Sequence, residues 1–477
     1  MSFELTTLGH YVKIQGGYAY KSHDFLEESN NKVLKIKNIR AGYVTYDDCA
    51  YISDELASKT KAWSVSEGDV LISMTGSGPN APQSLVGRVA RVWNGGAYLN
   101  QRVGRVVLKS NSSIHLDFIY YYLSQNSTQE YFVANSTGSA NQANISGKTI
   151  EDLPFPIVAF EDSNRISKIL LDLDKKILVN FNINHTLEQM AQALFKSWFV
   201  DFEPVKAKMA VLEAGGSQED ATLAAMTAIS GKDADALLVF ECEHPEKYAE
   251  LKATAELFPS AMQESELGDI PEGWNIGKFG DILEFNPKRV LKKGNVASYL
   301  DMKNVPVVGH SAQEIIDREF NSGSKFINGD TLLARITPCL ENGKTAYVDF
   351  LPSDEIVGWG STEFIVMRSK KNLPLSLSYF FARLDSFRTI AIQSMQGTSG
   401  RQRADASVLE QHVWAVPPNE VLQKFGTFSD LILDGNRSRS TENKSLAQLR
   451  DTLLPKLLSG EVTLPEAEQA VSEVENV

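Results

Sequence analysis

The stretch LEQMAQALFKSWF, residues 187–199, returns as LAQLRDTLLPKLL, residues 446–458, at an offset of 259. Leu187, Gln189 and Leu194 recur as Leu446, Gln448 and Leu453, while Met190, Phe195, Trp198 and Phe199 are answered by Leu449, Leu454, Leu457 and Leu458. An apolar helical stripe used twice, half a chain apart, implies one folding unit present in two copies. Other segments keep the same order. YYYLSQN (120–126) faces YFFARLD (379–385), and STGSANQANISGKTIED (136–152) faces MQGTSGRQRADASVLEQ (395–411), both at offset 259. GDVLIS (68–73) matches GDTLLA (329–334) at 261, and LGHYVKI (8–14) matches FGDILEF (279–285) at 271.

Each copy opens with roughly 150 residues of short apolar runs, among them VLKIKNI (33–39), DVLISM (69–74), RVGRVVL (102–108) and TEFIVM (362–367). Separated by Gly, Asn and Pro turns, these runs predict strands, with short helices such as DFIYYYLSQN (117–126) between them. A long helix closes each copy. In the first, Ile166, Leu170, Leu173, Ile177, Asn180, Asn184, Leu187, Ala191, Leu194 and Trp198 alternate spacings of four and three, a heptad seam. Asp162 or Ser163 is the expected cap. The second runs to a Ser459-Gly460 stop, with Gly435 inside it and Pro455 expected to kink its last turn. A seam of roughly 38 residues is ~57 Å long, more than one small domain covers, so it needs a second helix. Its own repeat is the obvious candidate, with Asn184 and its counterpart Asn443 as polar, register-setting positions.

The expected fold is therefore α+β: two similar domains (1–160 and 271–418) and two long helices (161–203 and 419–460). An acidic, Ala-rich insert of one or two helices and a linker (204–270) and an acidic tail (461–477) complete the chain. The net charge of −13 resides in those last two segments, which carry −8 and −5, leaving the rest neutral. The tail is expected to stay disordered. A neutral domain can still present a local basic face, so nucleic acid remains an allowed partner. Three scattered cysteines, no CxxC and no HExxH argue for a reduced protein without a structural metal. No apolar run reaches 18 residues and the start lacks a signal pattern, so a cytoplasmic location is expected and no membrane partner.

LFKSWFVDFEPV (194–205), SELGDIPEGW (265–274), ARITPCLENGKTAYV (334–348) and LRDTLLPKLLSGEV (449–462) resemble the specificity subunits of type I restriction–modification systems. The resemblance runs over nearly the whole chain. It implies two target-recognition domains joined by conserved spacer helices that pack as an antiparallel coiled coil with internal pseudo-twofold symmetry. It further implies a split, asymmetric site on double-stranded DNA, one half-site per domain. Implied partners are two methyltransferase subunits, which modify adenine N6 with S-adenosylmethionine, and motor-nuclease subunits that use ATP and Mg. By this reading the chain itself holds no cofactor and is not an enzyme.

A search for chemistry agrees. GKT occurs at 147–149 and 343–345, but a phosphate loop needs a glycine where Gln142 and Pro338 stand. No Asn-Pro-Pro-aromatic motif of adenine methyltransferases is present. The DNA-reading candidates are loop residues. Lys21 and Ser22 suit phosphate oxygens, as do Lys288 and Arg289 in the second copy. Gln101 and Arg102 form another cluster. Amides of Asn141, Gln142 and Asn144 suit adenine edges, and Arg401, Gln402 and Arg403 occupy the matching loop, where arginines suit guanine. Arg335 and Lys344 flank CLENG, and because that phrase recurs in the family they are expected to serve fold or backbone contact. Ile166, Leu173, Ile177, Asn184, Leu187, Leu194, Trp198, Asn443, Leu446, Leu453 and Leu457 are expected to form the seam that pairs the helices and docks partners. The competing expectation is a coiled-coil scaffold that binds only proteins.

Overall fold

In a computed structural model, residues 4–475 are described apart from 41, 47, 78–84, 140–141, 399–400 and 460. Contacts divide the chain into two units, Met1–Leu178 with Asn443–Val477, and Val179–Glu442. Both boundaries fall inside the long helices, Phe160–Phe199 and Asn419–Ser459. Grouping thus departs from the linear boundaries expected above: each unit holds one β-rich domain and a piece of both helices.

The two units share one plan. The first has a sheet ordered Val12–Gly16, Val103–Leu108, Val70–Ser73, Val89–Arg91, Gly42–Tyr43. The second has Leu283–Phe285, Phe364–Ser369, Thr331–Ala334, Thr345–Tyr347 in the same order. Val70–Ser73 and Thr331–Ala334 are buried at every position, so both faces of each strand are covered. Gly68 and Gly329 precede them with φ of +85° and +84°, a left-handed turn that favours glycine. A second sheet in each unit contains a parallel pair, Asn31–Leu34 with Ala97–Leu99 and Val296–Leu300 with Gly358–Gly360. The run VLKIKNI is a strand only to Leu34, because the Asn38 side chain accepts from Lys35 N at 2.9 Å and closes a turn over Ile36–Asn38. Short helices then follow in matching order, Leu116–Leu123, Asn126–Ala134 and Gly147–Glu151 against Leu377–Arg383, Asp385–Gln393 and Ala406–Gln411.

Each unit's core is completed by helix from the other copy. In the first, Ile166, Leu170 and Leu173 share a buried cluster with Phe118, Phe155, Leu446, Leu453, Leu454 and Leu457. In the second, Ala191, Phe195, Trp198 and Phe199 pack among Phe279, Phe380, Phe381 and Phe425, with Leu187 and Leu194 partly buried beside them. The helix segments run antiparallel within each unit. Asn443 Nδ2 donates to Ile177 O at 3.3 Å while Arg450 Nη1 lies 2.5 Å from Asp174 Oδ1. Asn184 Nδ2 donates to Asn436 O at 3.1 Å, Arg439 Nε donates to Asn184 Oδ1 at 2.5 Å, and Phe195 meets the Phe425 ring. Asn184 therefore pairs with the turn at Asn436, not with Asn443.

Three expectations are corrected. The first long helix starts at Phe160, so Asp162 and Ser163 lie inside its first turn and do not cap it. The insert holds four helices, Glu203–Glu213, Gln218–Ser230, Ala234–Glu243 and Pro245–Glu256, because Ala225, Met226, Leu237 and Ala255 make a small core of their own. The acidic tail is helical over Leu464–Glu475, with Ala467 and Val471 buried in the first unit's core and Arg165 3.0 Å from Glu468. Its apolar residues recur at helical spacing, and Thr463 N and Oγ1 donate to Glu466 Oε2, which fixes the start of the helix.

Candidate nucleic-acid interface

The same edge is built in both units from the strand that leaves the main sheet. In the first, Thr75–Gly76 continues from Val70–Ser73 and pairs with Gln142–Asn144, which pairs in turn with Thr137–Ser139. Gly138 has φ +111°, and an added Cβ would strike Gln142 O, so only glycine closes this hairpin. Thr75 Oγ1 donates to Asn144 Oδ1 at 2.8 Å and Asn144 Nδ2 donates to Gln142 O at 3.3 Å. Asn144 thus helps to hold the edge. Gln142 is exposed, and Asn141 lies outside the described residues.

In the second unit, Ile336 bridges Arg403, Arg403 bridges Gln396, and Ala404 N donates to Arg335 O at 2.8 Å. Thr337 N donates to Gln402 O at 3.1 Å. Gly397, the counterpart of Gly138, has φ +123°. Arg401 is exposed at the turn. Arg403 is already forked onto Glu363, with Nε 2.9 Å from Oε2 and Nη2 2.7 Å from Oε1, so its donors are engaged and a guanine contact would have to displace a carboxylate. Gln402 and Arg335 are half-buried. Glu363 was not singled out by sequence reasoning, and no local pattern marks a partner 40 residues away.

A second patch joins two loops of the first unit. Gly17 N donates to Val103 O at 3.0 Å and Tyr18 N to Leu99 O at 2.9 Å, which brings residues 16–22 beside 100–102. Gly17 sits so close to the Asn100 carbonyl that no Cβ fits. Tyr18 packs against Tyr20 and Trp63 at 4.8 and 5.0 Å between centroids, and Trp63 Nε1 donates to Gly16 O at 2.9 Å. On this frame Lys21, Ser22, Gln101 and Arg102 are all exposed. Their charges and amides can meet phosphate oxygens without displacing a partner seen in the structure.

The remaining candidates divide. Lys288 is exposed. Arg289 instead lies 3.3 Å from Asp330, which also holds Arg368 at 2.7 Å. Burial lifts the Asp330 carboxyl above its ordinary range despite those two guanidiniums. Lys344 Nζ donates to Met302 O at 2.8 Å and Lys303 O at 3.3 Å. No helix among the described residues is long and apolar enough to cross a membrane.

A family model described as a type I restriction modification DNA specificity domain matches residues 2–189. The type I restriction enzyme HindI specificity subunit of Haemophilus influenzae is 31% identical over 385 residues, spanning 75% of this chain and 80% of that protein. The MjaIX specificity subunit of Methanocaldococcus jannaschii is 22% identical over 356 residues, spanning 72% and 69%. Among solved structures, the S subunit of a type-I restriction-modification system from M. genitalium aligns with 95% of this chain and 96% of its own, with a TM-score of 0.49 and 14% identity.

Proposed function

We propose that this chain, which belongs to the family of type I restriction–modification DNA specificity subunits, reads a bipartite, asymmetric site on double-stranded DNA and presents it to separate catalytic subunits. The observation that carries the reading is the duplicated edge: one backbone frame, closed by Gly138 and Gly397, bearing different side chains in its two copies. Two readers with one frame and different residues suit two different half-sites. The protein-only scaffold has no observation in its favour.

The long helices are read as a spacer coiled coil with an internal pseudo-twofold. Support comes from the contacts Asn184–Asn436 and Asn443–Ile177, since Asn443 is the repeat of Asn184 and Asn436 that of Ile177. Modification subunits would dock on this spacer, and Val179, Ile183 and Met190, left exposed on the first long helix, offer an apolar stripe. Adenine-N6 methylation, S-adenosylmethionine, ATP and Mg would then belong to partners, this chain contributing specificity and no catalytic group, in the cytoplasm.

Binding by the assembled methyltransferase complex tests this. A split-site duplex should be held ~10³-fold or more over random duplex at physiological salt, with affinity falling linearly in log[salt]. Equal affinity for both duplexes would remove the reading.

A further inference from the structure

Glu188, on the first long helix, is 3% exposed and sits among charged groups from three other segments of the second unit. His310, 2% exposed, places Nδ1 3.7 Å from Glu188 Oε2 and Nε2 3.1 Å from Asp349 Oδ2. The Tyr379 hydroxyl donates to Glu188 Oε1, and Gln192 Nε2 donates to the same oxygen at 3.1 Å. Arg383 Nε donates to the Tyr379 oxygen at 2.9 Å and stands 4.0 Å from Glu188. Other Arg383 N–H groups hold the Val307, Gly309 and Thr345 carbonyls. Tyr347 N donates to His310 O at 3.0 Å, and Ser311 Oγ lies 3.4 Å from Ser440 Oγ on the second long helix. The loop 302–313 is therefore tied to its own sheet edge and, through buried charge, to the spacer.

The first unit has a related lock with a different cation. Tyr121 donates to Asp174 Oδ2 at 2.7 Å, and Arg450 meets Asp174 Oδ1 at 2.5 Å. Arginine keeps its charge at any pH a folded protein tolerates, whereas histidine does not. Discharging one member of a buried ion cluster leaves the others uncompensated, which costs more than the pair was worth.

We propose that His310 and Glu188 are positioning residues for the second recognition domain: as an ionised pair they fix the loop 302–313 on the first long helix and so hold that domain in the pose that reads its half-site. The inference rests on the DNA-reading function proposed above. Burial pushes the His310 imidazole down, but the hydrogen bonds and charges of Asp349 and Glu188 outweigh it and raise its pKa from 6.5 to about 9. Burial also pushes Glu188 up, and His310, Tyr379 and Arg383 together hold it below its ordinary value. Because the folded value of His310 lies above the unfolded one, its contribution is complete below pH 6.5 and is lost as pH rises through about 9.

The test uses the assembled complex and duplexes with single substitutions in either half-site. Each substitution ordinarily weakens binding by roughly 5- to 150-fold. In His310→Gln and Glu188→Gln, that penalty should shrink toward about one- to tenfold in one half-site and persist in the other. The wild-type complex should show the same one-sided loss between pH 7 and 9.5, with its midpoint near 9. Loss shared equally by both half-sites, or no loss, overturns the proposal, and the wild-type pH series decides alone if the variants do not fold. A wild-type complex without split-site selectivity at pH 7 would instead show that the underlying reading fails, and the proposal with it.

Discussion

At the scale of single residues, the candidate readers differ in how far their side chains are already engaged. Arg401 is exposed with its guanidinium available, whereas Arg403 is forked onto Glu363. Arg401→Ala should change which bases one half-site tolerates, by ~1–3 kcal/mol if the contact is a bidentate one. Lys21→Ala should weaken binding to every sequence alike and lower the salt slope by about one. Selection from a random duplex pool, with titration at several salt concentrations, checks both; uniform weakening by Arg401→Ala would deny it a base. The sequence offered Arg401 and Arg403 as equals. A lysine or arginine in a Gly/Asn-rich loop reads the same whether it meets solvent, a carbonyl or a buried acid. Arg289 finds Asp330 and Lys344 finds two carbonyls only once distant segments are folded together. The hairpin glycines were legible as a repeat, and their left-handed φ supplies the physical reason for the match.

Among the elements, the tail carries the clearest departure. Residues 461–477 were expected to be disordered from charge, yet Leu464, Ala467 and Val471 form a helical stripe, two of them fully in the first unit's core. Composition averaged over the segment hid a periodicity of three apolar positions. Truncation after Gly460 should therefore destabilise the protein by about 2–5 kcal/mol, given ~25 cal/mol per Å² of apolar surface exposed, while the DNA-reading loops stay intact. Thermal unfolding of the truncated chain measures this, and an unchanged midpoint would show the helix to be dispensable. The first long helix itself was legible from its four–three spacing. Its cap and its pairing register were not, because both depend on what the helix meets rather than on the helix.

At the scale of the whole molecule, the repeated stripe has a function in each copy: 446–458 fills the first unit's core and 187–199 fills the second's. If the chain is a fused dimer, a fragment ending near Ala214 should pair with itself and select an inverted repeat of one half-site. The structure adds a constraint. In such a dimer Phe195, Trp198 and Phe199 must enter the space that Leu454, Leu457 and Leu458 occupy in the first unit, and overpacking costs typically ~1–3 kcal/mol. Replacing these three by leucine should tighten the fragment dimer by about tenfold or more, read by sedentation equilibrium or light scattering. A fragment that stays monomeric in both forms would leave the repeat as ancestry without present symmetry. The duplication and the two long helices were readable in one sequence, whereas this exchange of helical ends between copies was not, since an apolar stripe does not name the core it enters.

The central claim is that this chain decides which DNA is modified. Single-molecule sequencing of methylated adenine in cells carrying the complex, with and without this chain, tests it most directly. The account predicts one split, asymmetric motif methylated in its presence and unmethylated in its absence. An unchanged set of methylated motifs would contradict it.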